Sequence, residues 1–171
     1  GLERLEQSAD ADGVLASLLA DDPLRERRQF HLIDAQGRTA CWTGGSCGPW
    51  AGHRHQMNLS VAGNYLVGET VLIAMEQAFL ASDPCWKLGR RLMTALMAGE
   101  AAGGDGRSPF STSAALQISG EAAFPLLDLR VDFRDSAVTE LMNVYERSQE
   151  LWAQQWRDSF ADLPQLNRLV A

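Results

Sequence analysis

QFHLIDAQGRTACWT, residues 29–43, is the stretch that decides the fold, and it predicts a β-hairpin. Apolar and polar residues alternate along the first arm, which is typical of a half-buried strand. The turn Ala-Gln-Gly follows, and Gly37 supplies the positive φ that a three-residue hairpin turn requires. We therefore expect strands over 29–34 and 38–43, joined by this turn.

Further strands and helices are predicted on both sides of the hairpin. A glycine-rich loop is expected over 44–52, and hydrophobic alternation predicts strands over 56–62, 112–119 and 126–133. Apolar residues at helical spacing predict helices over 1–20 (with a break at 8–12), 70–81, 84–98 and 136–160. Gly99 is expected to end the third of these helices. The order of strands and helices predicts a two-layer sheet core in a layered fold.

The composition fits one ordinary domain and excludes several classes of protein. The chain has 171 residues, of which 46% are hydrophobic and 22% are charged, so a packed core is feasible. A net charge of −7 argues against nucleic acid as a partner, because that requires a basic surface. No apolar run reaches the roughly 18 residues of a membrane span, so we expect no membrane partner. Three cysteines and no recognisable signal peptide favour reduced thiols and a cytoplasmic location.

Several short motifs, in a fixed order along the chain, together resemble a bacterial family called domain of unknown function 1028 (DUF1028). The motifs are DPLRERRQ (22–29), IDAQGR (33–38), WTG (42–44), CGPWAG (47–52), VAGNYLVG (61–68), AGEAAGGD (98–105), SAAL (113–116) and DLRVD (128–132). The resemblance extends from Gly1 to about Tyr145. One segment departs from the family, since SPFST (108–112) stands where the family has a basic Gly-Lys-Gln stretch.

The resemblance implies the fold of an N-terminal-nucleophile (Ntn) hydrolase, in which two stacked sheets lie between helical layers. The expected fold class is therefore α+β, a layered αββα sandwich. Residues 1–135 would form this domain, and residues 136–171 would form a C-terminal amphipathic helix and tail. Family members usually open with a short strand that carries a hydroxyl residue, and no such strand precedes Gly1 here. We therefore expect the sandwich to be incomplete at its N-terminal edge.

Catalysis of the Ntn type requires a nucleophilic side chain on the first residue, whose own α-amine acts as the base. Gly1 has no side chain. Either the catalytic segment is lost, disordered or supplied by another chain, or the protein is not such an enzyme. Two functions follow from the resemblance and this departure. One is an Ntn-type amidohydrolase that cleaves a small amide or peptide-like bond; the other is a non-catalytic binding or assembly module with the same fold.

Two polar residues are candidates for catalytic roles. Asn64 ends a predicted strand beside a glycine, where its amide would orient a substrate carbonyl or stabilise an oxyanion. The alternative is a turn residue that tolerates the left-handed conformation. Asp105 lies in the glycine-rich stretch 103–106, and the resemblance includes its Gly-Gly-Asp. The alternative for that stretch is a connector between a helix and a strand.

Five residues are candidates for substrate binding: Cys47, Trp50, His53, Arg107 and Arg130. Cys47 precedes Trp50 in a glycine-rich loop, and His53 or His55 lies near enough in sequence to act as its base. The alternative is a small buried residue in an ordered loop. Arg107 shares the loop of Asp105. Arg130 stands between two acidic residues on one strand face, where it either contacts a substrate carboxylate or completes a structural charge ladder.

The histidines near Cys47 also raise the question of a metal site. His53 and His55 would point to one face of a strand, as metal ligands often do. However, no third or fourth ligand follows at a recognisable spacing, and loop histidines that face solvent are the alternative. We therefore predict no metal and no cofactor.

The C-terminal helix predicts self-association. Trp152, Trp156 and Phe160 recur at helical spacing and form a larger apolar face than the edge of a small domain usually covers. We predict a homodimer with this helix in or beside the interface. The alternative is that these aromatic residues pack against the protein's own body.

Overall fold

The computed structural model of the chain describes residues 3, 5, 10–109, 111–121 and 124–161. This part of the chain has a mixed α+β fold of five helices and six strands. The helices are α1 (Ala11–Asp21), α2 (Glu69–Ala81), α3 (Leu88–Ala101), α4 (Ala137–Ser148) and α5 (Leu151–Ala161). The strands are β1 (Gln29–Ile33), β2 (Thr39–Thr43), β3 (Ala51–Gln56), β4 (Leu59–Asn64), β5 (Ala114–Ile118) and β6 (Leu127–Val131). Each strand pairs antiparallel with its neighbour in the chain, which gives three two-stranded sheets.

The first hairpin, β1–β2, forms as the sequence predicts. Gly37 has a φ of +80°, in the region where glycine carries no penalty. The carboxylate of Asp34 organises the turn, since its Oδ1 accepts from the backbone N–H groups of Gln36 and Arg38, both at 2.9 Å. Its Oδ2 accepts from the guanidinium of Arg38 at 2.6 Å. Local side-chain chemistry therefore closes this hairpin.

Helix α1 covers the outer face of this first hairpin. It is the second half of the helix predicted over 1–20, and the rest of that prediction lies outside the described residues except for Glu3 and Leu5. Asp10 caps α1 by accepting from the N–H of Gly13 at 2.6 Å, which falls within the predicted break. Leu15 of α1 packs against Ala40 of β2 in a small apolar cluster.

The second hairpin, β3–β4, corrects two predictions. Strand β3 begins at Ala51, inside the expected loop, and the strand expected over 56–62 is interrupted by a turn at Met57 and Asn58. Asn58 adopts a φ of +63°, which asparagine tolerates better than most residues. Its N–H donates to the carbonyl of Gly37 at 2.7 Å, so a backbone hydrogen bond joins the turns of the two hairpins.

The two hairpins lie against one another, with β1 beside β4 and β2 beside β3. Helix α2 covers the outer face of the second hairpin, where its Leu72 and Phe79 pack with Leu59 and Val61 of β4. Helix, sheet, sheet and helix therefore follow one another in space from α1 to α2. The expected sandwich has two larger sheets, whereas the described residues form three separate two-stranded ones.

Helices α2 and α3 approach closely at a glycine. The predicted helix 70–81 is confirmed as α2, but the one predicted over 84–98 begins at Leu88 and continues to Ala101. Gly99 does not end it: Gly99 is buried, and a Cβ there would lie 2.7 Å from Cγ of Met75 in α2. The absence of a side chain at this position lets the two helices touch.

A second apolar core lies between α3, the β5–β6 hairpin and α4. Met93, Leu116, Leu141 and Tyr145 form its buried centre. Strands β5 and β6 are shorter than the predicted 112–119 and 126–133. Phe133, which the prediction placed at the end of the last strand, is 82% exposed.

The long helix predicted over 136–160 is two helices, α4 and α5. They are separated at Gln149 and Glu150. In α5 Ala153 is buried, while Trp152 and Trp156 are 65% and 63% exposed. The side chain of Phe160 lies outside the described part. No helix that the structure describes is both long and apolar enough to span a membrane.

Candidate functional site

A polar layer separates the two stacked hairpins. We call it the interhairpin layer and define it by the side chains that meet across it: Gln29, His31, Thr39, Cys41 and Thr43 from the first hairpin, and His53, His55 and Ser60 from the second. It contains all three histidines of the chain. Packed sheets usually meet through apolar side chains, so a polar layer of this kind indicates a role other than packing.

Each histidine of the interhairpin layer contacts a hydroxyl group of the opposite hairpin. The pairs are His31 Nδ1 with Ser60 Oγ at 3.0 Å, Thr39 Oγ1 with His55 Nδ1 at 2.9 Å, and Thr43 Oγ1 with His53 Nδ1 at 2.8 Å. These distances are those of good hydrogen bonds. Three parallel contacts therefore join the hairpins, and each one places an imidazole on a hydroxyl.

The surroundings of His53 disfavour the charged form of its imidazole. Burial lowers its pKa below the ordinary 6.5, and the nearby rings of His55 and His31 lower it further. The ring centroids of His53 and His55 are 5.9 Å apart. A cation at His53 is therefore disfavoured, and near pH 7 this imidazole is a neutral group that is able to accept a proton.

Cys41 belongs to the same layer but is not activated as a nucleophile. Burial raises the pKa of its thiol, and this outweighs the lowering by the hydrogen bond with Ser60. Its Sγ lies 3.2 Å from Ser60 Oγ. Because the thiolate is the reactive form of cysteine, Cys41 is more suited to packing than to catalysis.

An open cleft of about 560 Å³ lies where the interhairpin layer ends at Thr43 and His53. The loop between β2 and β3 forms most of its wall, and α2 adds Glu69 and Leu72. Three of the predicted substrate-binding residues, Cys47, Trp50 and His53, line this cleft together. The structure therefore brings these three predicted residues together, with Thr43 beside them.

The predicted pairing of Cys47 with a histidine is not what the structure shows. The Cys47 thiol donates to the carbonyl oxygen of Arg28 at 3.4 Å. Within the described residues it makes no hydrogen bond to His53 or His55. Nor do these residues contain a group of three or more His, Cys, Asp or Glu side chains arranged to hold a metal ion.

Asn64, a predicted catalytic residue, holds the wall of the cleft in place. Its Oδ1 accepts from the backbone N–H of Gly48 at 2.8 Å. The next residue, Tyr65, has a φ of +60°, and a Cβ on Gly48 would lie 2.8 Å from its ring. Asn64 itself does not line the cleft; its Oδ1 is engaged by the loop that does.

Asp105 and Arg107 form a brace behind Tyr65 and do not line the cleft. The Arg107 guanidinium lies 4.5 Å from the centre of the Tyr65 ring, and its Nε donates to Asp105 Oδ1 at 2.9 Å. The hydrogen bond from Arg107 is the largest cause of a lowered pKa at Asp105. Asp105 is therefore an ionised carboxylate held by its partner, and the pair supports Tyr65 and through it the loop at Gly48.

Arg130 lies apart from these groups. It stands on β6 in the third hairpin, where its side chain is 70% exposed and its Nη2 donates to Asp132 Oδ1 at 2.7 Å. It does not line the cleft. This geometry is that of the structural charge ladder, which was the alternative interpretation of this residue.

Two residues of the site escape sequence reasoning: Gln29 and Thr43. Both occur in the hairpin that the sequence predicts, and both lie on the face opposite Phe30 and Leu32. A half-buried hairpin normally turns such a polar face to solvent. No local pattern marks them, because this polar face becomes an interior one only through its contact with the second hairpin.

Comparisons with other proteins show which family and which solved structure this chain is similar to. No curated protein matches the chain. A crystal structure of protein SPO2555 from Silicibacter pomeroyi, also assigned to DUF1028, is 27% identical in sequence and superposes with a TM-score of 0.80. The match covers 91% of this chain and 68% of that one. The model of the family of unknown function DUF1028 matches residues 1–141, and the chain therefore belongs to the DUF1028 family.

Proposed function

We propose that the cleft beside Thr43 hydrolyses a small amide or peptide-like bond. The observation that carries the proposal is the contact of 2.8 Å between Thr43 Oγ1 and His53 Nδ1 at the edge of the cleft. A hydroxyl becomes a useful nucleophile when an adjacent base takes its proton. The lowered pKa of His53 keeps the imidazole neutral and able to take it.

The proposed reaction has two steps. Thr43 Oγ1 attacks the carbonyl carbon of the amide while its proton passes to His53 Nδ1, and the same proton is then delivered to the nitrogen of the leaving amine. This breaks the C–N bond and leaves an ester on Thr43. Water then attacks the ester, His53 accepts a proton from that water, and the acid is released as the hydroxyl of Thr43 re-forms.

Other residues of the site would bind and orient the substrate. Because the Oδ1 of Asn64 accepts from the N–H of Gly48, its Nδ2 group would be the end of the amide that donates to the substrate carbonyl oxygen. Trp50 and Cys47 would provide apolar contact along the wall of the cleft. The brace of Asp105 and Arg107 would act indirectly: it would support Tyr65 and so keep the wall of the cleft rigid.

The proposal keeps the Ntn-type fold that the resemblance implies. The two hairpins between α1 and α2 would be part of an αββα sandwich, which further strands would complete. In Ntn hydrolases the attacking group belongs to the N-terminal residue. Among the residues that the structure describes, Thr43 is the hydroxyl of the cleft that is held on a base, so the proposal assigns the attack to it.

A substrate screen with matched variants tests this assignment. The protein is assayed for release of amines from a panel of small amides and dipeptides. Thr43→Val removes the attacking group and should lower kcat by roughly 10⁴-fold or more, as loss of the nucleophile does in a covalent mechanism. Thr43→Ser, which keeps the hydroxyl, should retain most of the activity. Thr39→Val is the control, because it breaks a threonine–histidine contact of similar length, with His55, outside the cleft.

The outcomes separate the proposed functions. Equal losses in Thr43→Val and Thr39→Val would mean that the hydroxyl contacts only hold the hairpins together. Full activity in Thr43→Val would remove Thr43 from the reaction. Binding of amides without turnover by any form of the protein would favour the non-catalytic binding module over the hydrolase.

A further inference from the structure

We propose that Gln29 is a positioning residue that fixes the tautomer of His53 and directs the hydroxyl proton of Thr43 toward it. The inference about the tautomer rests on hydrogen-bond geometry alone. Its consequence for turnover rests on the proposed function.

The orientation of the Gln29 amide is determined by two carbonyl groups. Its Nε2 lies 3.0 Å from the oxygen of Gly52 and 2.9 Å from the oxygen of Gly63. A backbone carbonyl oxygen is only an acceptor, so the atom between these two must be the –NH₂ group. The same nitrogen lies 3.0 Å from Thr43 Oγ1.

This orientation decides where the Thr43 proton goes. An amide –NH₂ group donates and does not accept, so the Thr43 hydroxyl cannot donate to Gln29. In the described part of the chain, the other polar atom in contact with that hydroxyl is His53 Nδ1. The hydroxyl therefore donates to Nδ1, which must carry no hydrogen, and the proton of the neutral ring lies on Nε2.

A second pair in the same layer has the opposite arrangement. Thr39 Oγ1 lies 3.1 Å from the carbonyl oxygen of Gln56, to which it donates. Its proton is then used, so the contact of 2.9 Å with His55 Nδ1 requires His55 to donate. His55 is therefore the Nδ1–H tautomer, whereas His53 is the Nε2–H tautomer. The two threonine–histidine contacts are similar in length and differ in the group beside the threonine. The Gln29 amide beside Thr43 is a donor, whereas the Gln56 carbonyl beside Thr39 is an acceptor.

The difference matters because only one of the two rings is ready to act as a base toward its hydroxyl. His53 offers a lone pair to the Thr43 proton, while His55 offers a hydrogen to Thr39. Without an oriented tautomer a histidine base loses much of its effect. Gln29 would thus distinguish the reactive pair from the structural one without touching a substrate.

The test is a nitrogen NMR measurement on the full chain labelled with ¹⁵N at histidine, at a pH well above 6.5, the ordinary pKa of the imidazole. The wild-type protein should show His53 as Nε2–H and His55 as Nδ1–H. Gln29→Glu replaces the donor by an acceptor that takes the Thr43 proton, so the His53 signals should change to the Nδ1–H pattern. The His55 signals should stay unchanged, and they also report that the hairpins remain folded.

Gln29→Met provides the second variant, because it removes the amide without introducing a charge beside two carbonyl groups. It should leave His53 in a mixture of both tautomers. If the proposed function holds, both variants lower kcat by about 100-fold or more with little effect on KM, since the base is misdirected while the cleft is intact.

An Nδ1–H tautomer of His53 in the wild-type protein would overturn the inference, and so would an unchanged His53 tautomer in both variants. If the tautomers behave as expected and no amide is hydrolysed, the role of Gln29 in orientation stands and the hydrolase proposal fails. If amides are hydrolysed but Gln29→Met alters neither tautomer nor kcat, the hydrolase stands and the inference fails.

Discussion

At the residue scale, Gly37 combines a positive φ with little space for a side chain. Its φ is +80°, and a Cβ there would lie 1.9 Å from Oδ1 of Asn58 in the neighbouring turn. We expect Gly37→Ala to lower the free energy of unfolding by about 1–3 kcal/mol, the usual cost of a strained backbone position. Urea denaturation measures this directly.

Gly45→Ala is the matched control for this substitution. A Cβ on Gly45 would meet only the end of the Glu26 side chain, at 3.4 Å, and Gly45 is not among the described glycines with positive φ. Its unfolding midpoint should stay close to that of the wild-type protein. Similar losses of stability in Gly37→Ala and Gly45→Ala would contradict the expectation that the positive φ of Gly37 and its closeness to Asn58 disfavour a side chain there.

The lowered pKa of His53 makes a prediction about stability and pH. In the unfolded chain this imidazole takes up a proton near its ordinary pKa of 6.5, while in the folded chain it does so only at lower pH. Between these two values the unfolded state binds more protons. Stability therefore falls as the pH decreases below about 6.5 and stops falling, as far as His53 is concerned, below the folded pKa.

Urea midpoints measured between about pH 8 and pH 5 should show this decrease in the wild-type protein. The decrease should be smaller in His53→Gln, which removes the titrating group and keeps a polar side chain beside Thr43. An identical pH dependence in the two proteins would mean that other groups cause the loss.

At the element scale, one ion pair joins the second hairpin to α2. Arg54 Nε lies 2.6 Å from Glu76 Oε2, and the Glu76 side chain is only 12% exposed. The same arginine reaches Glu69 at 3.4 Å, where the carboxylate is 61% exposed. Because exposed pairs contribute little, the two carboxylates should differ strongly in their effect on stability.

We expect Glu76→Gln to lower the free energy of unfolding by about 1–2 kcal/mol, since it replaces a charged hydrogen bond that is partly shielded from water. Glu69→Gln, on the same face of the same helix, should cost less than about 0.5 kcal/mol. Thermal and urea unfolding of the two variants give the comparison. A larger loss in Glu69→Gln would contradict the packing of β3 on α2.

The elements that sequence could predict are those whose limits are encoded locally. The first hairpin carries its own turn, with Gly37 and the carboxylate of Asp34 close in sequence. The second hairpin does not: its turn has no glycine, and Asn58 is held in the left-handed conformation by a contact with Gly37, twenty-one residues earlier (58 − 37). Gly99 misleads for a related reason, because its role is to let α2 approach α3.

At the scale of the whole molecule, α5 is the surface that we expect to associate. Leu151, Trp152 and Trp156 are 71%, 65% and 63% exposed, so these residues offer apolar area for a further contact. We propose that they pack against a second copy. Each large apolar side chain contributes roughly 1.5–3 kcal/mol when fully buried, and a loss of 1.4 kcal/mol is about tenfold in affinity.

Light scattering at micromolar concentration should give the mass of a dimer. The Trp152→Ala/Trp156→Ala variant should be monomeric, with its unfolding midpoint in dilute solution nearly unchanged. A monomeric wild-type protein, together with a variant that loses stability, would show that these tryptophans belong to the core of one chain.

The assembly of the site from two hairpins could not be predicted from the sequence. Local patterns identify which residues share a strand face, and they gave Cys47, Trp50 and His53 as neighbours of one loop. They do not state which faces meet. The polar faces that carry Gln29 and Ser60 have the composition of solvent-facing strands, and only their contact across the layer distinguishes them.

The pairing of every described strand with its neighbour in the chain has a consequence for the speed of folding. A ladder between consecutive strands closes a short loop, and the entropy lost in closing it is small. Each hairpin can therefore form before it meets the others, and the slow search is limited to the docking of the three hairpins and the helices on one another. Chains in which local contacts dominate fold faster than those that depend on distant pairing, so refolding should take on the order of milliseconds rather than seconds.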